Sequence, residues 1–63
     1  VMLGKAEWAD RGTWITTPAG TREQVVEKPL TERGWTYLQT TDGQYRVSSA
    51  VLIEFFSSED GPV

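Results

Sequence analysis

The sequence predicts an all-β domain, a small barrel or meander, on three observations within residues 34–56, GWTYLQTTDGQYRVSSAVLIEFF. Residues 35–40 are rich in aromatic and β-branched side chains, which suit a pleated, half-buried surface. Asp42-Gly43 supplies turn chemistry, because glycine accepts positive φ without the clash a Cβ would bring. The stretch holds the chain's longest apolar run, and residues 52–56, LIEFF, read as a last strand.

The turn decides which side chains of the hairpin share a face. A two-residue loop Asp42-Gly43 pairs Thr41 with Gln44 and Leu38 with Val47, and leaves Trp35, Tyr37 and Arg46 on the opposite face. A three-residue loop, Thr41-Asp42-Gly43 with Gly43 in the left-handed position of a bulge, pairs Thr40 with Gln44 instead. Trp35, Tyr37, Tyr45 and Val47 then gather on one side, and Thr36, Leu38 and Arg46 on the other. A slip of one residue exchanges the two sets. The bulged register is the expectation, since it places four large side chains on the core face rather than three.

The remaining elements follow in order. Residues 1–11, VMLGKAEWADR, read in two ways. Residues 5–10 form a turn or two of helix ended near Gly12, with Leu3 and Trp8 as anchors, or the segment is an N-terminal strand. Residues 13–17, TWITT, form a short strand that Pro18-Ala19-Gly20 stops. Residues 21–28, TREQVVEK, place Glu23 and Glu27 four apart, as on a solvated helix face. Val25-Val26 and the stop at Pro29 favour a strand. Residues 30–33 connect to Gly34 as a loop. In residues 52–56, Ile53 and Phe55 face one way while Leu52 and Phe56 face the other, so one pair needs a cover beyond a single interior. The count is five strands in one domain, residues 1–63, with a core over 13–56 and an acidic, flexible tail over 57–63.

Composition narrows the function. The chain has 63 residues, no cysteine and no histidine. Disulfides, thiolate or imidazole metal sites, and Ser-His-Asp or Cys-His catalysis are therefore excluded from it. No cofactor or metal is expected. A chain this short buries only ~60% of the surface its unfolded form exposes, and oligomerisation, or membership of a larger assembly, is the remaining support. Six basic against nine acidic residues give a net charge of −3, which disfavours generic phosphate-backbone binding. No segment has the length of a membrane span or the apolar core of a signal peptide, and the cytoplasm is the default location.

The order of elements resembles an SH3-like small barrel. Gly34-Trp35-Thr36-Tyr37, Asp42-Gly43 and Val47-Ser48-Ser49-Ala50-Val51-Leu52 are similar to its aromatic strand, its distal hairpin and the short 3₁₀ turn into its last strand. The resemblance covers residues 13–56 and implies a five-stranded barrel. The acidic, Tyr-rich first loop of peptide-binding SH3 domains has no counterpart around residues 18–22. A second resemblance, in rhythm, is to plasmid-type trimethoprim-resistant dihydrofolate reductases, tetramers of SH3-like barrels. It rests on Leu30-Thr31-Glu32-Arg33-Gly34-Trp35, Gln44-Tyr45-Arg46-Val47 and Ala50-Val51-Leu52. Gln44 and Tyr45 echo that family's Val-Gln-Ile-Tyr active-site run without the intervening Ile.

Three functions follow from this reading. The first is a non-enzymatic binding or assembly module that self-associates or holds a protein partner through an aromatic and apolar surface. Trp14, Trp35, Tyr37, Tyr45, Arg46, Leu52 and Phe56 are the candidates, since Trp and Tyr concentrate binding energy and Arg stacks on aromatic faces. The second is a nucleic-acid-associated regulator using stacking aromatics with Arg22, Arg33 and Arg46. The third is the reductase-like enzyme that the second resemblance implies. The carboxylates Glu23, Glu27, Glu32 and Asp42 show no catalytic pairing motif and read as solvated charge.

Overall fold

The computed structural model describes residues 1–56, and the acidic tail 57–63 lies outside the described residues. The strands are β1 (Met2–Lys5), β2 (Trp14–Thr16), β3 (Arg22–Gln24), β4 (Leu30–Glu32), β5 (Trp35–Thr40), β6 (Gly43–Ser48) and β7 (Leu52–Phe56). They form two antiparallel sheets, one ordered β1-β7-β2-β3 and the other β4-β5-β6. The class is all-β, as the sequence predicts. Among the described residues, however, the expected five strands become seven, and the barrel is not closed. No helix among the described residues is long and apolar enough to cross a membrane.

Both additional strands lie where the sequence pattern is weakest. The N-terminal segment combines its two readings: β1 is followed by a single 3₁₀ turn, Ala6–Trp8. β1 exists because β7 offers it a ladder, with Met2 opposite Phe55 and Lys5 opposite Leu52. At 30–33 a strand replaces the expected loop. The connection is the two-residue turn Arg33-Gly34, with φ of 52° and 82°, the paired positive φ that suits a tight hairpin. Residues 30–32 are all exposed, so they carry no alternation to read. β5 makes them a strand by pairing Leu30 with Tyr37 and Glu32 with Trp35.

The β5–β6 hairpin corrects the expected register. Its loop is Thr41-Asp42, and Thr40 pairs with Gly43, Leu38 with Tyr45 and Thr36 with Val47. The inward face therefore carries Thr36, Leu38, Thr40, Tyr45 and Val47, while Trp35, Tyr37 and Arg46 point outward. Two local bonds fix the turn. The Thr40 hydroxyl donates to the Gly43 carbonyl at 2.9 Å and accepts from the Asp42 N–H at 3.1 Å. Volume supplies the physical reason for the face. The core is Ala6, Ala9, Ile15, Val25, Leu38 and Val47, with Tyr45, Ile53 and Phe55 packed against it. An interior lined by two alanines and a few aliphatic side chains takes Leu38 and Val47 and excludes the rings of Trp35 and Tyr37. The connection into β7 is a single short turn, closed by the i+3 bond from the Val51 N–H to the Ser48 carbonyl at 3.2 Å.

The two sheets share a seam at Val25. Its N–H donates to the Thr13 carbonyl at 2.8 Å and its carbonyl accepts from Gly12 at 2.7 Å, which extends the β2–β3 ladder. Val25 also bridges Thr40 of the second sheet. Flanking bonds run from the Thr41 N–H to the Gln24 carbonyl at 3.0 Å and from the Val26 N–H to the Gln39 carbonyl at 2.8 Å. At the other end Gly4 faces inward, and a Cβ there would stand 3.0 Å from the Trp8 ring. One side of Trp8 thus packs over β1 while the rest of the ring is exposed.

Two stability outcomes follow. Gly43 has a φ of 130° with open space around its Cβ position, so Gly43→Val meets backbone strain rather than a clash. It should lose roughly 1–3 kcal/mol, read as a lowered urea midpoint. Leu38→Ala empties a fully buried site and should cost about 2–5 kcal/mol, whereas Tyr37→Ala on the outer face should cost distinctly less. The reverse order would mean that the other face of β5 is inside.

Candidate functional site

The seven candidate residues do not converge; strand parity sorts them onto three surfaces. On the outer face of the first sheet, Trp14 stands opposite Phe56 and Leu52 opposite Lys5. The Arg22 guanidinium lies 3.8 Å from the Phe56 ring centroid. Glu54, between Leu52 and Phe56 on the same face, accepts a hydrogen bond from the Thr16 hydroxyl at 2.9 Å. Leu3 stands across from Glu54. This face is therefore Leu3, Leu52, Phe56 and Trp14 arranged around one hydrogen-bonded carboxylate.

The outer face of the second sheet carries Trp35, Tyr37 and Arg46. The Arg46 guanidinium is 4.2 Å from the Trp35 ring centroid, a cation–π contact that covers part of an otherwise exposed indole. Both inner faces feed one core, so these two outer faces point away from each other. Arg22 and Arg46, grouped in the nucleic-acid reading, consequently lie on opposite sides. Gln44 and Tyr45, adjacent on β6, project to opposite faces of the second sheet.

Tyr45 occupies the third position, turned inward at the rim of the core. Its hydroxyl donates to the Asp42 carboxylate, and this bond, with a smaller desolvation contribution, holds the phenol above its ordinary value. The nearby Thr17 and Thr21 hydroxyls act in the opposite direction. Those two hydroxyls bond each other at 2.9 Å.

Sequence reasoning missed Met2 and Leu3 as surface residues, because an ambiguous segment leaves their faces undefined. Their visible signal is the apolar start VML. Beside Leu52, an open groove of about 360 Å³ runs between the sheets, lined by Pro18, Val47, Val51, Leu52 and Ile53 with Thr16, Thr17 and Glu54. It extends the apolar surface from the first sheet into the gap left by the unclosed barrel. Among the carboxylates, Glu23 accepts from the Thr41 hydroxyl at 2.7 Å and Asp42 from Tyr45. No three acidic side chains among the described residues gather closely enough to hold a metal ion. No protein-family model, curated protein or solved structure matches this chain.

The Tyr45–Asp42 bond predicts a pH dependence. A folded-state pKa raised above the unfolded value gives stability that is fully present below the unfolded tyrosine value of about 10. That stability is lost as pH rises through the folded value. In urea titrations, the advantage of the native chain over Tyr45→Phe should be constant at neutral pH and shrink above about pH 10. A gap that stays constant throughout would show that the bond is not formed.

Proposed function

We propose that the chain is a non-enzymatic binding and assembly module that joins a second copy of itself at the β1–β7 side of the first sheet. One observation carries this reading. Leu3 and Leu52 leave 63% and 56% of their surface exposed on the outer face, and Met2, on the other face of the same edge strand, leaves 72%. Burying such a side chain is worth roughly 1.5–3 kcal/mol, a large increment for a domain of this size.

The edge supports the choice of partner. Among the described residues β1 pairs on one side only, so alternate residues aim their N–H and C=O groups outward, a template for another strand. Its only charge is Lys5, at the strand's end. An antiparallel β1 from a second copy satisfies those groups reciprocally, because a two-fold axis makes one edge its own complement. The SH3-like reading belongs to this proposal. Its support is the succession of β5, the tight hairpin, β6, a short turn and β7.

Light scattering over a concentration series tests the assembly. The wild type should approach twice the monomer mass in the micromolar range. The double variant Leu3→Lys, Leu52→Glu should stay folded and monomeric. Within one chain it sets Lys against Glu54 and Glu against Lys5, favourable cross-strand pairs, while placing charge in the apolar contact. A wild type that remains monomeric at several hundred micromolar would overturn the proposal.

A further inference from the structure

The opposite outer face carries a second concavity, built by an irregularity in the chain path. Val26 bonds Gln39 of β5, and Leu30 pairs with Tyr37. The incoming chain thus advances four residues while β5 advances two. The surplus bulges outward as Glu27-Lys28-Pro29, and Pro29 has no N–H with which to close the ladder. The notch is a groove of about 420 Å³, within the range of small-molecule sites.

The groove's lining defines a ligand. Tyr37, half-buried, and Leu30 supply apolar surface, with Gln39 and Gln44 beside them and Glu27, Lys28 and Glu32 at the walls. Elsewhere the outward polar side chains find one another, as Thr16 finds Glu54 and Thr41 finds Glu23. The polar side chains of this groove make no hydrogen bond or ion pair with any described residue, so a ligand seated there competes only with water for their donors and acceptors. The lining mixes two carboxylates, one ammonium and two amides, so it offers acceptors and donors together rather than a field of one sign. A neutral ligand rich in hydroxyls, each both donor and acceptor, can use the carboxylates, the ammonium and the amides together. A pyranose adds an apolar C–H face that stacks on a ring such as Tyr37.

We propose that this groove binds a short neutral saccharide of one or two pyranose units, stacked on Tyr37 and hydrogen-bonded by Gln39, Gln44, Glu27 and Glu32. The site is independent of the self-association surface, which lies on the other sheet.

The test is a ¹H–¹⁵N NMR titration of the whole chain with cellobiose, maltose and N,N′-diacetylchitobiose. Each is taken to about 50 mM, enough to saturate a site with a Kd of about 1 mM. At least one sugar should give saturable shifts at Tyr37 and at the side-chain amides of Gln39 and Gln44. Tyr37→Ala should weaken binding about tenfold, the size of a lost aromatic contact, while Tyr37→Phe keeps it. Gln39→Ala, which removes no ring, should weaken the same shifts and covers the case of a poorly folded Tyr37→Ala. The Leu3→Lys, Leu52→Glu variant should bind as the wild type does. No shift with any of the three sugars, shifts indifferent to both Tyr37→Ala and Gln39→Ala, or groove shifts produced by spermidine instead would overturn the proposal.

Discussion

The seam at which Ile15, Val25 and Leu38 meet, all essentially without solvent exposure, is the constraint on which the rest of this structure depends. Val25 belongs to both sheets at once. Its backbone extends the β2–β3 ladder and bridges Thr40, while its side chain fills the space between the layers. With the sheets fastened there, the interior is small, and Ala6 and Ala9 close one end of it. A cavity of that size selects compact aliphatic side chains, because interiors tolerate neither voids nor overpacking. Leu38 goes in, and the larger rings of β5 go out.

Placing the rings outside has consequences for both outer surfaces. Two of them are covered by the chain's own arginines, Phe56 by Arg22 and Trp35 by Arg46, which reduces exposed apolar area without enlarging the core. On the inner face of β5, threonines flank Leu38 in place of rings. Thr36 is fully buried and bonds the Thr31 hydroxyl at 3.0 Å and the Ser49 hydroxyl at 2.9 Å. Among the described residues no buried side-chain nitrogen or oxygen lacks a partner. A buried threonine left unbonded would cost on the order of 1–3 kcal/mol, so these bonds allow a polar side chain to occupy the second sheet's inner face.

The open architecture follows from the same economy of residues. Three-residue strands such as β2, β3 and β4 are too short to wrap a sheet onto itself, and the two layers remain joined mainly at one side. The other side keeps an edge strand, β1, and an apolar groove beside Leu52. The bulge at residues 27–29 is a local event of the same kind, a place where the chain leaves one sheet and has not yet entered the next. The proposed self-association and ligand binding thus fall at different discontinuities of one small fold.

The sequence by itself determined the class and the positions of the principal turns. Alternating aromatic and β-branched residues in 35–40, the turn chemistry around Asp42-Gly43, the Pro18-Ala19-Gly20 stop and the mostly apolar 52–56 are local signals, although the reversal itself falls one residue earlier, at Thr41-Asp42. The split of Ile53 and Phe55 from Leu52 and Phe56 was legible for the same reason, since strand alternation is local. Tertiary structure alone decided the hairpin parity, the strand character of 30–32 and 2–5, and the separation of Trp14, Leu52 and Phe56 from Trp35, Tyr37 and Arg46. Residues 30–32 are exposed on both sides and pair only because β5 is beside them. Residues 2–5 have their ladder from β7, some fifty positions away in the chain. Parity turned on interior volume. Gathering four large side chains on one face is attractive only where the opposing layer leaves room, and Ala6, Ala9, Ile15 and Val25 leave room for Leu38 and Val47 instead.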